Sequence, residues 1–289
     1  MSNRSWRWLW LWVVAAIAVL ALLTIWVVRW QTPEPAPVPD ALLQVHFIDV
    51  DQGDAILVRA PGFTMLIDAG RHDRDDVVPY LLRQGVEHIH LLVGTHPHAD
   101  HIGQMARVLR RFTVDEVWMS GDLHTTRTFE RTLDAILASQ AGYHEPRAGE
   151  TMQFGELGLA VVHPQEVTGQ LNDGSIVLRV EFGDVVFLFT GDAERRAEEQ
   201  MLARGEKLKA TVLKLAHHGS RTSSTRTFLE AVNPQIAVYS AGRDNRYGHP
   251  HREVLERLRE RNIEVYGTER HGSVVMETDG THVQIATER

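Results

Sequence analysis

Four side chains that can bind a metal ion fall within six consecutive positions: His96, His98, Asp100 and His101. They follow an apolar run at residues 89–94, which predicts a strand that carries them to its end. Residues two apart in an extended chain point the same way, so His96 and His98 share one side. Imidazoles and a carboxylate that converge at a strand end suit zinc, while manganese and iron accept the same donors. The spacing predicts a metal centre rather than solvated histidines.

Three further polar residues stand where apolar runs end. Asp192 follows residues 187–189 and is either a metal ligand or the N-cap of a helix that begins near position 194. His218 leaves the run at 212–215 in a His-His-Gly-Ser turn and is a candidate ligand. Asp68 either accepts a hydrogen bond from a ligating histidine or starts the turn before Gly70.

The chain contains no cysteine and sixteen histidines. A disulfide framework is therefore excluded, and any metal has to be held by histidines and carboxylates.

Strand-like and helical patterns alternate between residue 42 and the end of the chain. The predicted strands cover 43–48, 55–58, 64–67, 89–93, 116–119, 157–162, 175–182, 185–190, 212–215, 236–239 and 263–266, and a final hairpin turns at 279–280. Helices are predicted at 77–84, from 102 to 109, and at 129–141, 194–203, 225–232 and 253–261. Strands in both halves with helices between them predict an α/β (α+β) fold, in which two sheets pack face to face and helices cover them outside.

Five motifs occur in a fixed order, at residues 47–54, 95–103, 190–192, 217–220 and 245–251. Their residues resemble those of the metallo-β-lactamase-fold hydrolases, and more narrowly the soluble hydrolase domain of ComEC-type DNA-uptake proteins. This resemblance covers essentially all of residues 42–277. It implies a four-layer αβ/βα sandwich that uses two divalent metal ions, Zn²⁺ or alternatively Mn²⁺.

The resemblance also implies the ligand sets. His96, His98 and Asp192 would bind one ion, and Asp100, His101, His218 and the shared Asp192 the other. His163, at the end of the strand 157–162, is an additional candidate ligand, because lactamase-like enzymes carry a histidine in their third motif.

The sequence departs from the family pattern at two places where the family has glycine. Asp51 and Gln104 stand there. Aspartate tolerates a left-handed backbone, so we expect the first of these turns to survive.

Two cations a few ångströms apart lower the pKa of a bridging water, which supplies a hydroxide nucleophile. We expect Asp100 to orient this nucleophile as well as to bind metal, and Asp54 and Asp68 to support the ligands from behind. His249 is a candidate proton donor or oxyanion contact, with a plain helix-capping loop as the equal alternative.

Hydroxyl and guanidinium groups near the fourth and fifth motifs favour a phosphodiester substrate. Ser220, Arg221 and Ser223 follow the predicted ligand His218, and Arg246 precedes His249. The net charge of −8 argues against a broad basic surface for duplex DNA, so a short single strand or a small phosphodiester fits better.

Two alternatives remain open at this point. One is hydrolysis of a lactam, lactone or thioester on the same metal centre. The other is a non-catalytic binding module that retains the fold, against which the intact ligand set argues.

The first 41 residues have a different character. After a short segment at 1–8, residues 9–28 carry no charge and are flanked by tryptophans, which predicts an uncleaved transmembrane anchor rather than a signal peptide. Prolines at every second position mark residues 29–41 as a semi-rigid linker to the hydrolase domain at 42–289. Arg4 and Arg7 place the N-terminus in the cytoplasm and the catalytic domain outside it. The predicted partner is the membrane; no protein partner is indicated, and one span cannot form a DNA channel.

Overall fold

Two mixed β-sheets lie face to face and carry helices on their outer surfaces. The computed structural model describes residues 42–289, so the predicted segments at 1–8, 9–28 and 29–41 lie outside the described residues. The strands are β1 (Leu43–Phe47), β2 (Ile56–Ala60), β3 (Phe63–Ile67), β4 (His88–Gly94), β5 (Thr113–Met119), β6 (Gly142–His144), β7 (Thr151–Phe154), β8 (Leu157–His163), β9 (Val177–Phe182), β10 (Val185–Phe189), β11 (Val212–Lys214), β12 (Ile236–Tyr239), β13 (Glu264–Gly267), β14 (Val274–Thr278) and β15 (Val283–Thr287). The helices are α1 (Val77–Arg83), α2 (Met105–Arg111), α3 (Arg127–Ala138), α4 (Arg195–Ala203), α5 (Arg226–Val232), α6 (Arg252–Glu260) and the single turn α7 (Thr268–His271).

The first sheet has the strand order β15-β14-β1-β2-β3-β4-β5-β6. Its strands are antiparallel from β15 to β3 and parallel from β3 to β6. Strands β1, β3 and β4 therefore run in the same direction, and their carboxyl ends meet at one edge of the sheet.

The second sheet has the order β13-β12-β11-β10-β9-β8-β7. It is parallel from β10 to β13 and antiparallel from β7 to β10. The carboxyl ends of β10, β11 and β12 thus share one edge, where loops from parallel strands form binding sites in such sheets.

Three apolar layers hold the sheets and helices together. The central layer lies between the sheets, and strand alternation supplies it: Val185, Phe187 and Phe189 of β10 point inward while Leu188 points outward. The first outer layer packs α1, α2 and α3 against the first sheet, and the second packs α4, α5 and α6 against the other. The predicted arrangement of two facing sheets covered by helices is confirmed.

The structure departs from the predicted elements around the middle of the chain. The helix predicted at 129–141 is α3, which begins after the N-cap Thr126 and ends before Ser139, whose backbone is extended. Gly142–His144 instead adds a parallel edge strand beside β5. The short strand β7 and the helical turn α7 were not predicted either, because each is too brief for a periodic pattern.

Among residues 42–289, none of the helices combines the length and apolar character needed to cross a membrane.

Candidate metal centre

The polar residues predicted to act together lie in loops at the facing carboxyl edges of the two sheets. In the first sheet, Asp54 follows β1, Asp68 follows β3 and the His96–His101 stretch follows β4. In the second sheet, Asp192 follows β10 and a tight turn with His218 follows β11. Each loop is fixed by a buried strand, so the side chains converge on one point between the sheets.

The histidines that follow β4 lie close together in the centre. His96 Nε2 lies 3.0 Å from His98 Nδ1, and the ring of His96 is 4.1 Å from that of His101. The backbone coils tightly here, since the amides of His101 and Ile102 both donate to the carbonyl of His98. This coil turns successive side chains into the same space before α2 begins.

Asp192 contacts histidines on both of its carboxylate oxygens. Its Oδ2 lies 3.7 Å from His96 Nε2, while its Oδ1 lies 3.3 Å from His101 Nε2 and 3.7 Å from His218 Nε2. The carboxylate therefore stands between two groups of imidazoles, which is the arrangement of a bridging ligand.

Several buried polar atoms at this point have no hydrogen-bond partner within residues 42–289. They include His101 Nε2, His218 Nε2 and Asp192 Oδ1. Leaving such atoms unpaired costs free energy. Two imidazole nitrogens and a carboxylate oxygen that converge in this way are suitable ligands for a divalent cation. The donor set thus fits a metal ion. One converging group is Asp54, His101, Asp192 and His218, in which Asp54 approaches the Nδ1 atoms of the histidines, and the second is His96, His98 and Asp192.

Asp54 and Asp100 occupy opposite sides of His218. Asp100 Oδ2 is 3.5 Å from His218 Nε2, on the side of the unpaired atoms. Asp54 Oδ1 is 3.5 Å from His218 Nδ1, and Asp54 Oδ2 is 4.0 Å from His101 Nδ1, behind the rings. Asp100 is consequently placed to face a metal, and Asp54 to support the histidines.

The Nδ1 atoms of the two histidines are already hydrogen-bonded. His101 Nδ1 lies 2.8 Å from Asp68 Oδ2, and His218 Nδ1 lies 2.9 Å from the carbonyl of Ser240. Asp68 is itself held by the amide and hydroxyl of Thr95. With Nδ1 donating, the Nε2 atom of each ring faces the centre and becomes the metal-binding atom once its proton is displaced.

Electrostatics at the centre favour positive charge. Burial alone would lower the pKa of His101, but Asp192 and Asp68 raise it well above its usual range. Burial opposes the same change in His218, yet Asp192, Asp100 and Asp54 raise its pKa to about 9. The carboxylates thus hold protons on these rings, and a metal ion would displace those protons on binding.

Two close backbone contacts tie the loop after β1 to the metal motif. The amide of Asp54 donates to the carbonyl of Asp100 over 3.2 Å. A Cβ atom at Gly53, whose φ is +137°, would lie 2.3 Å from that same carbonyl oxygen. Glycine is required here because no side chain fits between the loops.

The two departures from the family pattern are accommodated. Asp51 adopts the expected left-handed backbone, with φ of 63°. Gln104 is buried, accepts from the amide of Val77 and donates to Asp76, so it fixes the start of α1.

His163 does not join the centre. It is buried at the end of β8, its Nε2 lies 2.7 Å from the carbonyl of Asp173, and it belongs to neither group of converging ligand atoms among the described residues. A register shift between Val161 and His163 in the pairing of β8 with β9 marks an irregularity in the strand at this position.

His249 lies beside the centre, as expected. Its ring is 5.3 Å from that of His217 and 6.0 Å from that of His218, and its Nδ1 is buried without a partner in the described part of the chain. Burial, then the neighbouring His218 and His217, lower the pKa of His249 to about 4. The ring is therefore neutral at physiological pH.

The hydroxyls predicted to clamp a phosphate have other partners. Ser223 is buried and donates to the carbonyls of Ala216 and Ser220, while the hydroxyl of Ser220 bonds that of Thr222. The structure uses these groups to hold the turn, which leaves them unavailable to a substrate. Arg221 lies on the surface, with its side chain 61% exposed and paired to Glu253 over 3.3 Å.

A cavity of about 420 Å³ opens beside Asp100. Three arginines and three aspartates line it together with an exposed tyrosine; they are Arg71, Arg243, Arg246, Asp51, Asp100, Asp244 and Tyr247. Of these, Arg246 was predicted to bind substrate. The other two arginines and Tyr247 come from the loops after β3 and β12, and no local pattern in the sequence connects those loops.

Sequence reasoning also passed over His217, Glu194 and Lys214. Lys214, in the strand β11, was read as an apolar position, although a lysine inside a buried strand already signals a buried partner. His217 stands in the same motif as His218, and His218 was the one predicted to be a ligand.

Comparison with known proteins agrees with this arrangement. Residues 48–243 match the metallo-beta-lactamase superfamily. The chain is 30% identical over 251 residues to ComE operon protein 3 of Bacillus subtilis (strain 168), which covers 80% of this chain and 32% of that protein. It is 32% identical over 247 residues to competence protein ComA of Neisseria gonorrhoeae, covering 83% of this chain and 33% of the relative. The chain therefore spans about a third of the length of the curated relatives it matches.

Among solved structures, the metallo-beta-lactamase fold protein YhfI from Bacillus subtilis superposes with a TM-score of 0.52. The two share 12% sequence identity, over 82% of this chain and all of YhfI. At this identity the likeness extends to the fold alone.

Proposed function

Since this chain belongs to the metallo-β-lactamase superfamily and is related to competence proteins, we propose that it is a metal-dependent phosphodiesterase acting on short single-stranded nucleic acid or a small phosphodiester. The observation that carries the proposal is the arginine-lined cavity, which opens onto Asp100 at the edge of the candidate metal centre.

The metal centre is proposed to hold two divalent cations. His96, His98 and Asp192 would bind one, and Asp100, His101, His218 and the shared Asp192 the other. Zn²⁺ or Mn²⁺ suits these donors, and when bound such ions activate water and polarise a phosphoryl oxygen. Asp68, Asp54 and the carbonyl of Ser240 keep the rings of His101 and His218 oriented.

The cavity has the size for a phosphate-bearing ligand and offers it guanidinium groups, although three aspartates in the lining balance their charge. Its volume of about 420 Å³ falls in the usual range for small-molecule sites. Arg71 is already paired with Asp51 over 3.0 Å, so Arg243 and Arg246 are the guanidinium groups more available to an anion. Guanidinium groups bind phosphate oxygens through paired hydrogen bonds, which a neutral lactam or lactone does not offer.

Tyr247 supplies a surface on which a base can stack. Its side chain is exposed, its ring stacks on His249 at 5.6 Å, and the guanidinium of Arg246 lies 4.9 Å from the ring centre. Aromatic rings beside cationic groups are typical of single-stranded nucleic-acid sites. The acidic net charge of −8 makes extended duplex binding an unfavourable alternative.

His249 is proposed to donate a hydrogen bond to an oxygen of the substrate. It lies between Tyr247, which lines the cavity, and His218, which belongs to the metal centre. A neutral imidazole in this position stabilises developing negative charge without transferring its proton.

The experiment that tests the function is a substrate panel. The purified full-length chain, with zinc or manganese added, is assayed on single-stranded DNA, bis-p-nitrophenyl phosphate and nitrocefin. We expect metal-dependent hydrolysis of the two phosphodiesters. Turnover of nitrocefin alone would instead identify a lactam hydrolase, and the absence of turnover with either metal would favour the binding module.

We also propose that residues 9–28 anchor the protein, with the catalytic domain on the extracytoplasmic side. The uncharged length of this segment and the arginines that precede it motivate the proposal. Externally added protease should digest residues 42–289 in cells whose envelope has been permeabilised outside an intact cytoplasmic membrane. Complete protection there, with release on lysis, would place the domain in the cytoplasm.

A further inference from the structure

We propose that His217 is a fourth protein ligand of the metal held by His96, His98 and Asp192, in place of the histidine that other lactamase-like enzymes carry in their third motif. The inference rests on the proposed metal centre and concerns a residue for which no role was predicted. It is carried by the position of its ring, by the groups that orient the ring, and by its backbone conformation.

The ring of His217 reaches the same oxygen of Asp192 as His96 does. His217 Nε2 lies 3.8 Å from Asp192 Oδ2, and His96 Nε2 lies 3.7 Å from the same oxygen. Neighbouring ligand atoms in a tetrahedral zinc site are roughly 3.4 Å apart, given bonds of about 2.0–2.1 Å. Asp192 Oδ1 faces only the other group, His101 and His218. The two oxygens of Asp192 thus divide four imidazoles into two pairs, and His217 falls into the pair with His96.

The opposite nitrogen of His217 is held in the way that ligating histidines are. Its Nδ1 lies 2.8 Å from Oε1 of Glu194, two residues after Asp192. The same carboxylate oxygen accepts from Thr222 over 2.9 Å and from Asn172 over 3.3 Å, so its position is fixed from three sides. A carboxylate on Nδ1 selects the tautomer whose Nε2 lone pair is free, which is the form that binds metal.

The backbone at this point adopts an unfavourable conformation. His217 and His218 have φ of 48° and 56°, two consecutive left-handed residues that are not glycine. Such a residue is energetically unfavourable and persists only where its surroundings enforce it. The consecutive pair turns both rings toward Asp192, on its two sides. An extended chain would point neighbouring side chains in opposite directions, and only one would reach the centre.

The position of His163 also explains why this residue is not needed as a metal ligand. Its Nε2 bonds the carbonyl of Asp173. Among the described residues, neither His163 nor His217 falls in a group whose ligand atoms all lie within 4.8 Å of one another, but of the two it is His217 that approaches Asp192. His217 is one-quarter exposed, so it lies at the open side of the centre, where a ligand can be added without rebuilding the core.

The test uses the metal content of the full-length chain rather than its activity. His217→Ala and His217→Gln are purified, exchanged into cobalt, and compared with the parent by elemental analysis and by the visible cobalt spectrum. At a cobalt concentration that just fills both sites of the parent, we expect two ions per chain in the parent and one in the variants, with affinity for the lost ion reduced roughly 10- to 100-fold or more. Glu194→Gln should weaken the same ion less, because it removes only the partner on Nδ1.

His251→Gln is the matched control, since His251 belongs to the neighbouring loop and contacts neither oxygen of Asp192; it should keep both ions. Two ions bound with parental affinity and an unchanged spectrum in both His217 variants would overturn the inference. Loss of an ion in His163→Gln but not in the His217 variants would overturn it as well. A parent chain that binds no metal would instead refute the metal centre as a whole, which separates the two failures. Circular dichroism of each variant identifies any that is misfolded, and the glutamine variant then stands in for alanine.

Discussion

Lys214 Nζ lies 2.7 Å from Oδ2 of Asp54, and both side chains are buried. Lys214 belongs to β11 in the second sheet, whereas Asp54 follows β1 in the first, so the ion pair joins the two sheets directly behind the histidines of the centre. Lys214 also donates to the carbonyl of Leu215. Burial by itself would raise the pKa of Asp54, but Lys214 and then His218 hold it well below its usual range. Asp54 is therefore an anion that steadies both His101 and His218.

Replacing Lys214 with methionine should destabilise the protein by about 3–5 kcal/mol, because it leaves the carboxylate of Asp54 buried without its partner. Urea unfolding of the metal-free proteins measures the difference. The double variant Asp54→Asn with Lys214→Met should recover part of this loss, since no buried charge remains. If the loss of stability in the double variant equals the sum of the losses in the two single variants, the ion pair contributes no coupling energy.

Asp192→Ala should remove more metal than any other single substitution, because this carboxylate contacts both groups of histidines. We expect fewer than one ion per chain, against two in the parent, and a loss of activity of at least about a hundredfold. Elemental analysis after dialysis measures the content. Full occupancy in this variant would contradict the bridging position of Asp192.

Arg246→Ala should lower kcat/KM for a phosphodiester by roughly ten- to a hundredfold, since the guanidinium would contact the phosphate in the transition state. Arg221→Ala is the matched control: it removes an exposed arginine of the neighbouring turn that does not line the cavity. We expect the control to stay within about twofold. Hydrolysis of a neutral lactone should be unaffected in both proteins, and an equal loss on the two substrates would mean that Arg246 acts only on the structure.

Tyr247→Ala should weaken binding of single-stranded oligonucleotides by about 1–3 kcal/mol, the usual contribution of one stacked base. Tyr143→Ala provides a close control, because both side chains are 48% exposed and Tyr143 lies on the edge strand β6, away from the cavity. Fluorescence anisotropy with a labelled oligonucleotide measures both. Identical affinities in the two variants would remove Tyr247 from the substrate site.

His46 should make the stability of the fold depend on pH, at a distance from the metal centre. It is buried in β1 with Nδ1 2.9 Å from the hydroxyl of Tyr80, and burial, then Arg59, lower its pKa to about 4. The unfolded chain binds this proton below pH about 6.5, and the folded chain only below about 4. Stability therefore falls as pH drops through that window, by up to about 3 kcal/mol. His46→Leu should flatten this part of the profile in denaturant unfolding with EDTA present; an unchanged slope would exclude His46 as the cause.

Residues that follow buried strands were the ones whose convergence could be anticipated. Asp68, His96, Asp192 and His218 each end an apolar run, and parallel pairing brings such ends to one edge. The predicted strands and helices agree with the structure within a few residues for the same reason, since period and burial are visible locally.

Features that depend on turns and on distant loops could not be predicted from the sequence. The spacing of Ser220 and Ser223 suggests a phosphate clamp, but their hydroxyls form hydrogen bonds within their own turn. His163 ends the right strand at the right edge, yet its Nε2 bonds the carbonyl of Asp173 instead of joining the centre. The cavity combines Arg71 with Tyr247, and only the folded chain places these loops side by side.

The pairing of β1 with β14 has a consequence for how the protein is made. Leu43 lies opposite Thr278, so the first strand of the fold gains its second neighbour only after nearly all of the chain has been synthesised. Until then β1 presents a free edge, and the apolar side chains of Leu43, Val45 and Phe47 lack the cover of β14. Contacts this far apart in sequence also form slowly. The nascent protein thus passes through a stage in which its first sheet is open to pairing with other chains, and chaperone binding or aggregation during synthesis should concentrate on this strand.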